Sequence, residues 1–312
     1  MSGVLRRLVV AFAGVIASTV VVFAVLRALP GDIATARLGI DATPEALAAL
    51  REQYGLNRSI VVQYFNWMSD ALQGDLGTSL VTGDPVRGDI IARLDVTVPL
   101  VAISSLASLL LATAIGRRAA LRTKRLSGLV AASFSQVGLA VPTFVVGVAF
   151  ISIFSVRWRL LPAGGFPTDG WRSPIDALQS LILPLASLVL TQVAMLVRFA
   201  RSRALDFVAS DAFRTARSVG RSTDGAMSTA TRLVLAPVLQ VTALQLSTLL
   251  TGAVVVESVF SLPGLGSMMV RDIANRDVTK VQSTLLVVVI AVFVIRLLTD
   301  YVNDRLDPRR LA

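Results

Sequence analysis

Long runs of uncharged, mostly apolar residues constrain this chain more than any other feature of its sequence. About 20 such residues are needed to cross the hydrocarbon core of a bilayer as a helix. Runs of this kind occupy residues 8–26, 96–116, 126–156, 177–197, 233–256 and 281–295. The last run is short, but it can span if its helix continues to Val302 and Arg296 snorkels or faces a partner. The sequence therefore predicts an all-α integral membrane protein with six transmembrane helices.

These runs divide the chain into four parts. Residues 1–29 hold the N-terminus and the first transmembrane helix, 30–95 a polar helical segment, 96–303 a transmembrane core and 304–312 a tail. Within the core, the spans are expected at about 96–116, 126–156, 177–200, 233–258 and 281–302. Because no small-residue cleavage site precedes Pro30 and five further spans follow, we expect the first helix to be a retained span rather than a cleaved signal.

The distribution of charge predicts how the chain lies in the membrane. A net charge of +10 suits either a nucleic acid or a membrane surface, and the apolar runs favour the membrane and no nucleic-acid partner. Segment 117–125 carries five basic and no acidic residues, and 198–232 carries seven Arg against three Asp. Segment 30–95 has five Arg against nine acids. Since Lys and Arg accumulate in cytoplasmic loops, both termini and the two basic segments are predicted to be cytoplasmic, and 30–95 extracytoplasmic.

The acidic segment 30–95 contains signals for two helices. Thr43, Pro44 and Glu45 are typical of an N-cap, a first helical residue and a first-turn acid, and they predict a helix over 44–54 that ends at Gly55. A second helix over 59–73 would end at Gly74. One face of this second helix is apolar; it carries Ile60, Val61, Tyr64, Phe65, Met68 and Leu72. The segment is either a cap packed on the transmembrane helices or a gate or docking surface for an outer partner.

Several kinds of chemistry are excluded by residues that the sequence lacks. There is no Cys and no His, which removes thiolate nucleophiles, zinc–cysteine sites and the commonest general base. The two lysines, Lys124 and Lys280, lie in predicted loops, and neither has the context of a phosphate-binding loop. The chain is therefore predicted to be no enzyme and to bind no cofactor, so energy for active transport must enter from elsewhere.

Candidate residues for a transport pathway are polar but uncharged. Gln136, Gln192 and Gln245 fall in the middle of predicted spans. Each glutamine either makes a hydrogen bond between helices, worth about 1 kcal/mol in membranes, or lines a wet pathway. Pro142, Pro184 and Pro237 are expected to kink or break their helices. Ion-coupled carriers usually place charged groups near the bilayer midplane, and the scarcity of such groups here argues against that class.

A short basic stretch, DAFRTARSVGRS at 211–222, lies between two apolar runs. It predicts a helix of about nine residues with Ser210 or Asp211 as its N-cap and Gly220 as its end. Phe213 lies on a mostly apolar side, and Arg214, Arg217 and Arg221 lie on another. An isolated helix of this length is marginal in water, so its own bundle or another protein must hold it. It either rests on anionic lipid or inserts its Phe213 face into a groove on a soluble partner.

This stretch resembles the cytoplasmic coupling loop of the permeases of bacterial ABC importers. FRTARSVG at 213–220 is similar to the R-T-A-x-x-x-G form found in the dipeptide/oligopeptide/nickel family. Other motifs along the chain also resemble those of this family. Their order resembles that of the B-type subunit, which has a long outer segment after its first span. They include LPGD at 29–32, ATPEALAALREQYGL at 42–56, GDLGTSL at 74–80, VPTF at 141–144, LPAGG at 161–165, TGAVVVESVFSLPGLG at 251–266 and LDPR at 306–309.

The resemblance implies a function that composition and spacing do not give. Permeases of this family work beside a sister permease, two cytoplasmic ATPases bind the ATP, and an extracytoplasmic lipoprotein delivers the cargo. The resemblance therefore implies a peptide importer in a bacterial cell membrane, with nickel or another small solute as the alternative cargo. A short list of residues would couple the permease to the ATPases: Asp211, Phe213, Arg214, Thr215, Ala216, Arg217 and Gly220. The coupling loop as a whole would occupy 201–232, between the fourth and fifth spans.

Overall fold

The computed structural model describes residues 3–28, 43–53, 55–122, 141–229 and 231–306. Within these residues the regular secondary structure is helical, apart from an isolated antiparallel bridge between Thr78 and Pro85. The chain forms two compact units. One unit comprises Met1–Val96 and Ser267–Leu297, and the other comprises Thr97–Gly266 and Leu298–Ala312.

Eleven α-helices follow one another along the described residues. They are α1 (Gly3–Ala28), α2 (Pro44–Gln53), α3 (Ile60–Leu72), α4 (Val86–Leu121), α5 (Thr143–Phe150), α6 (Pro174–Val208), α7 (Asp211–Ser218), α8 (Thr223–Thr229), α9 (Thr231–Val259), α10 (Leu265–Ala274) and α11 (Val278–Leu306). A π-helical turn, Ile151–Arg157, continues α5, and a short 3-10 turn, Gly170–Arg172, precedes α6.

Four of the described helices are long and apolar enough to cross a membrane, namely α1, α4, α6 and α11. A fifth span results if the two halves of α9, Val234–Leu246 and Thr248–Val259, are taken together; they are bent by 56°. The predicted third span, 126–156, is described from Val141 onwards, where α5 and its π-helical continuation form a shorter apolar helix. The all-helical membrane architecture is therefore confirmed, and the count of six spans stays a prediction.

The helices extend beyond the apolar runs from which they were predicted. α4 begins ten residues before the predicted start at 96 and continues through Arg117 and Arg118, which the sequence analysis had placed in a loop. Arg117 donates a hydrogen bond to the hydroxyl of Thr231 at 2.9 Å, and two cations in the last turns suit the negative end of the helix dipole. α6 continues to Val208, so the first eight residues of the predicted coupling loop belong to the transmembrane helix.

The three prolines that were expected to kink or break helices occupy different positions in them. Pro142 is the N-cap of α5, so a helix starts there, as its ring geometry favours. Pro184 lies inside α6 and Pro237 inside α9. The bend of α9 lies between Leu246 and Thr248, about ten residues beyond Pro237, where no bend was predicted.

A buried carboxylate closes the turn that follows α9. Glu257 is fully buried, and the hydroxyl of Thr97 donates to its Oε1 at 2.6 Å. The same Thr97 oxygen accepts the backbone N–H of Leu265 at 2.8 Å, which ties the start of α10 to α4. A side chain on Gly264 would collide with the Glu257 carboxylate. The ESVFSLPGLG part of the motif at 251–266 thus folds a tight turn over the buried carboxyl group of Glu257.

Candidate functional site

The basic stretch at 211–222 forms a well-delimited helix, α7. The Ser210 hydroxyl accepts the N–H of Phe213 at 3.4 Å, which confirms Ser210 rather than Asp211 as the N-cap. At the other end Gly220 has a φ of 85°, in the left-handed region that favours glycine. The N–H groups of Gly220 and Arg221 donate to the carbonyls of Arg217 and Ala216, in the pattern of a Schellman motif. The predicted start and end of this helix are confirmed to within two residues.

Phe213 anchors α7 to the transmembrane helices. Its ring meets the ring of Phe207, in the last turn of α6, edge to face at 5.7 Å between centroids. It also packs against an apolar cluster built from α4, α6, α8 and α9, which includes Ala204, Met227 and Val234. Phe213 is half-buried in this position. The Phe213 face of α7 therefore packs against helix ends of its own chain, and its entry into a groove on another protein stays a prediction.

The opposite side of α7 is polar and open to solvent. Asp211 and Arg214 form an ion pair at 2.6 Å, and their side chains are 93% and 72% exposed. Thr215, Arg217 and Ser218 are also exposed, and an Arg217 nitrogen donates to the Arg221 carbonyl at 2.6 Å. An ion pair this exposed contributes little to stability. The charges on this side therefore contribute little to holding α7 in place. They define the surface that α7 presents to a binding partner.

The predicted coupling residues separate into two groups in the structure. Phe213 and Ala216 are half-buried and face the bundle, whereas Asp211, Arg214, Thr215, Arg217 and Gly220 are exposed. Sequence reasoning missed Phe207, the aromatic partner of Phe213. The fourth span was expected to end near residue 200. The sequence therefore did not indicate that Phe207 lies in the last turn of the same helix.

The two predicted pathway glutamines that lie within the described residues differ in burial. Gln192 is half-buried in α6, and Gln245 is 95% buried in α9. Neither polar atom of the Gln245 side chain has a hydrogen-bond partner among the described residues, so the expected interhelical bond is not made there. Gln136 lies outside the described residues.

A cavity of about 480 Å³ lies between α5 and the second half of α9. Its lining residues are uncharged, and three of them bring hydroxyl groups. They are Pro142, Thr143, Phe144, Thr248, Thr251, Gly252 and Val255. The cavity begins immediately after the bend of α9. Apolar walls with a few hydroxyls suit an uncharged, hydrogen-bonding solute. VPTF at 141–144 was the sequence signal for one wall, and the start of the motif at 251–266, which contains Thr251, Gly252 and Val255, was the signal for most of the other.

A polar cluster joins the starts of α4 and α11 in the first unit. Asp277 is buried and accepts the Ser79 hydroxyl at 2.5 Å and the N–H groups of Leu80 and Lys280. Lys280 forms an ion pair with Asp89 at 2.5 Å and lies 4.0 Å from Asp272. Burial raises the pKa of the Asp272 carboxyl, and the nearby Lys280 opposes that rise. Asp277, Lys280 and Asp89 are engaged within this cluster, which indicates a structural role, and Oδ2 of Asp272 has no hydrogen-bond partner among the described residues.

Comparison with known families and proteins assigns the whole chain. Residues 105–311 match the family described as binding-protein-dependent transport system inner membrane component, and residues 1–101 match its N-terminal companion. The chain is 33% identical over 307 residues to the probable peptide ABC transporter permease protein of Sinorhizobium fredii, covering 98% of both chains. It is 33% identical over 306 residues to the glutathione transport system permease protein of Salmonella typhimurium, covering 98% of this chain and 97% of the relative.

Proposed function

Because this chain belongs to the family of binding-protein-dependent transport system inner membrane components, we propose that it is a permease subunit of an ATP-driven peptide importer. The two relatives described above are named for peptide and for glutathione, itself a small peptide. The chain would line the pathway together with a sister permease. Two partner ATPases would bind and hydrolyse ATP, and an extracytoplasmic binding protein would supply the cargo. The chain itself would carry out no catalysis.

The position of α7 is the observation that supports this function best. Its inner side is fixed by Phe213 to Phe207 and to the apolar cluster of the second unit. Its outer side, with Arg214, Thr215 and Arg217, is free to contact another protein. A displacement of the outer side would therefore be transmitted directly to α6. It would also be transmitted to α4 and α9, because the apolar cluster joins these helices to α7. ATP can shift the balance between two states of the bundle only if the ATPase contacts differ between those states.

The proposed topology follows from the same assignment. Six spans would place both termini and α7 in the cytoplasm, with α2 and α3 on the outer side. The excess of Arg in 198–232 supports this orientation.

The cavity between α5 and α9 is the part of the chain best suited to contact cargo in transit. Among the described residues its lining has no ionisable side chain, so it would contact the amide groups of a peptide rather than its charges. Selection by charge would then take place in the binding protein. Gln245 is buried next to the bend without a hydrogen-bond partner among the described residues, and it would gain one in a second conformation of α9.

A modification experiment tests the role of α7. Because the chain contains no Cys, Thr215→Cys creates a unique attachment site on the exposed side of α7. We expect a bulky maleimide at this position to abolish ATP-driven uptake of dipeptides by the reconstituted transporter, because it would block the ATPase contact. Ser202→Cys is the matched control, since Ser202 is exposed near the end of α6 but off α7. Undiminished uptake by the modified Thr215→Cys protein would contradict the proposed coupling.

A further inference from the structure

The helix α3 exposes an apolar stripe whose surroundings can be worked out from its contacts. Phe65 and Leu72 are 65% and 82% exposed, and Val61 lies on the same side. The polar residues Asn66, Ser69 and Asp70 occupy a different side. An amphipathic helix that leaves its apolar side uncovered by its own chain needs another apolar environment to cover it.

The depth of α3 is fixed by its aromatic contacts with α1. Tyr64 meets the ring of Phe23 edge to face at 5.5 Å, and Trp67 stacks on the same ring at 5.8 Å. The Tyr64 hydroxyl lies 2.9 Å from the hydroxyl of Thr19, one turn earlier in α1. The middle of α3 is therefore level with residues 19–23 of a transmembrane helix.

The charged residues of α1 show where the hydrocarbon core ends. Residues 8–26 between Arg7 and Arg27 carry no charge and would be about 28 Å long as a helix, close to the thickness of that core. Arg27 therefore marks one boundary, and its guanidinium lies 5.2 Å from the centre of the Phe23 ring. Phe23 lies about 6 Å and Thr19 about 12 Å inside that boundary along the helix axis. The aromatic contacts of α3 thus fall within the acyl-chain region, at the depth expected of interfacial helices.

The described chain covers little of α1 at this level. α1 is the least buried of the candidate spans, with 11% of its most apolar window covered by the rest of the chain. Val20, Val21 and Val25 are among its exposed residues. A helix that packs on so exposed a span, below the boundary set by Arg27, has acyl chains as its nearest neighbours.

We propose that α3 is an interfacial membrane helix, which inserts Val61, Phe65 and Leu72 among the acyl chains of the leaflet around the C-terminal end of α1. α3 contains no Lys or Arg and a single acid, Asp70, so it is held by apolar area and not by anionic headgroups. The outer segment would then be fixed to the bilayer at the end of the first span. This inference requires that α1 spans the membrane, and it does not depend on the cargo or on the coupling role of α7.

Single cysteines provide the test, since the chain has none of its own. Nitroxide labels on Val61→Cys, Phe65→Cys and Leu72→Cys would be examined by power-saturation spectroscopy in the complete transporter, in phosphatidylethanolamine–phosphatidylglycerol vesicles. We expect each label to be several-fold more accessible to oxygen than to a water-soluble nickel chelate. Val21→Cys, on the exposed side of α1, is the lipid reference. Asn66→Cys and Asp70→Cys are the matched controls on α3, and their preference should be reversed.

Three results would overturn the proposal. Labels at Phe65 and Leu72 that the nickel chelate reaches readily would place the stripe in water. Labels protected from both reagents would place it against another protein subunit. Labels that become protected only when the binding protein is added would identify it as a docking surface for that protein.

Discussion

The two short amphipathic helices α3 and α7 are built alike and present opposite chemistry to their surroundings. Each starts at a serine N-cap, Ser59 or Ser210. Each ends two residues before a glycine with a φ above 80°, Gly74 or Gly220. Each is also held to a long apolar helix by aromatic rings. Yet the free side of α3 is apolar, whereas the free side of α7 carries Asp211, Arg214 and Arg217.

The difference between the two free sides indicates different surroundings for α3 and α7. Neither helix is long enough to be stable alone in water, so in both cases the aromatic contact holds the helix and the free side is available for a partner. An apolar free side at the depth of α3 suits acyl chains. A basic, ion-paired free side suits the surface of a water-soluble protein.

The largest effect is expected from placing a charge at the anchor of α7. Phe213→Asp would put a carboxylate between Phe207 and the apolar cluster, in place of a ring that packs against both. We expect α7 to detach and cargo-stimulated ATP hydrolysis and peptide uptake to fall to background, with insertion into the membrane unchanged. Phe213→Leu keeps an apolar side chain and should retain most of the activity. Normal uptake by Phe213→Asp at full expression would show that the anchor is dispensable.

The corresponding change in α3 is expected to cost stability without uncoupling transport. Trp67→Ala removes the ring stacked on Phe23 and should destabilise the attachment of α3 by about 3 kcal/mol. Hydrogen exchange of residues 60–72 would rise steeply, while ATP hydrolysis per uptake event should stay near the parent value. Tyr64→Phe, which removes only the hydroxyl bonded to Thr19, is the milder control. If Trp67→Ala uncouples transport as fully as Phe213→Asp, the two helices do not differ in role.

Much of this comparison could be predicted from sequence, because caps and stops are local. Thr43, Ser59 and Ser210 all start helices, and Gly55, Gly74 and Gly220 all follow helix ends with positive φ. The inward direction of Phe213 could not be predicted, because it depends on Phe207, whose helix runs eight residues past the expected end of its span. The bend of α9 was missed for a similar reason, since neither Pro nor Gly lies at it. The first feature depends on where a neighbouring helix ends, and the second is marked by no helix-breaking residue, so neither could be predicted from sequence patterns.

The glycines that end the two helices should respond equally to substitution. A Cβ on Gly220 would meet no atom within 4 Å, and one on Gly74 would meet a nitrogen of Arg87 at 3.5 Å, an ordinary contact. The cost of Gly74→Ala or Gly220→Ala therefore comes from the left-handed backbone alone and should be about 1 kcal/mol. Hydrogen exchange in the last turn of each helix should accelerate about fivefold. A much larger effect at Gly220 would mean that a partner presses on that turn.

Replacing the serine N-caps should have the smallest effects on helix stability. The effect at Ser210 should be measurably larger than the effect at Ser59. Ser59 accepts the N–H of Val62 at 3.4 Å and is exposed, so Ser59→Ala should cost no more than about 1 kcal/mol. Ser210 accepts the N–H of Phe213 at the same distance, and its hydroxyl also donates to the Phe207 carbonyl at 2.6 Å. Ser210→Ala therefore loses a second bond, which links the start of α7 to the end of α6, and should accelerate hydrogen exchange of its helix more than Ser59→Ala does. Serine to glycine at each position is the control, because glycine tolerates the N-cap backbone without making either bond. Equal effects of the two alanine variants would show that the Ser210–Phe207 bond does not help to hold α7, and would leave the aromatic pair as its attachment to α6.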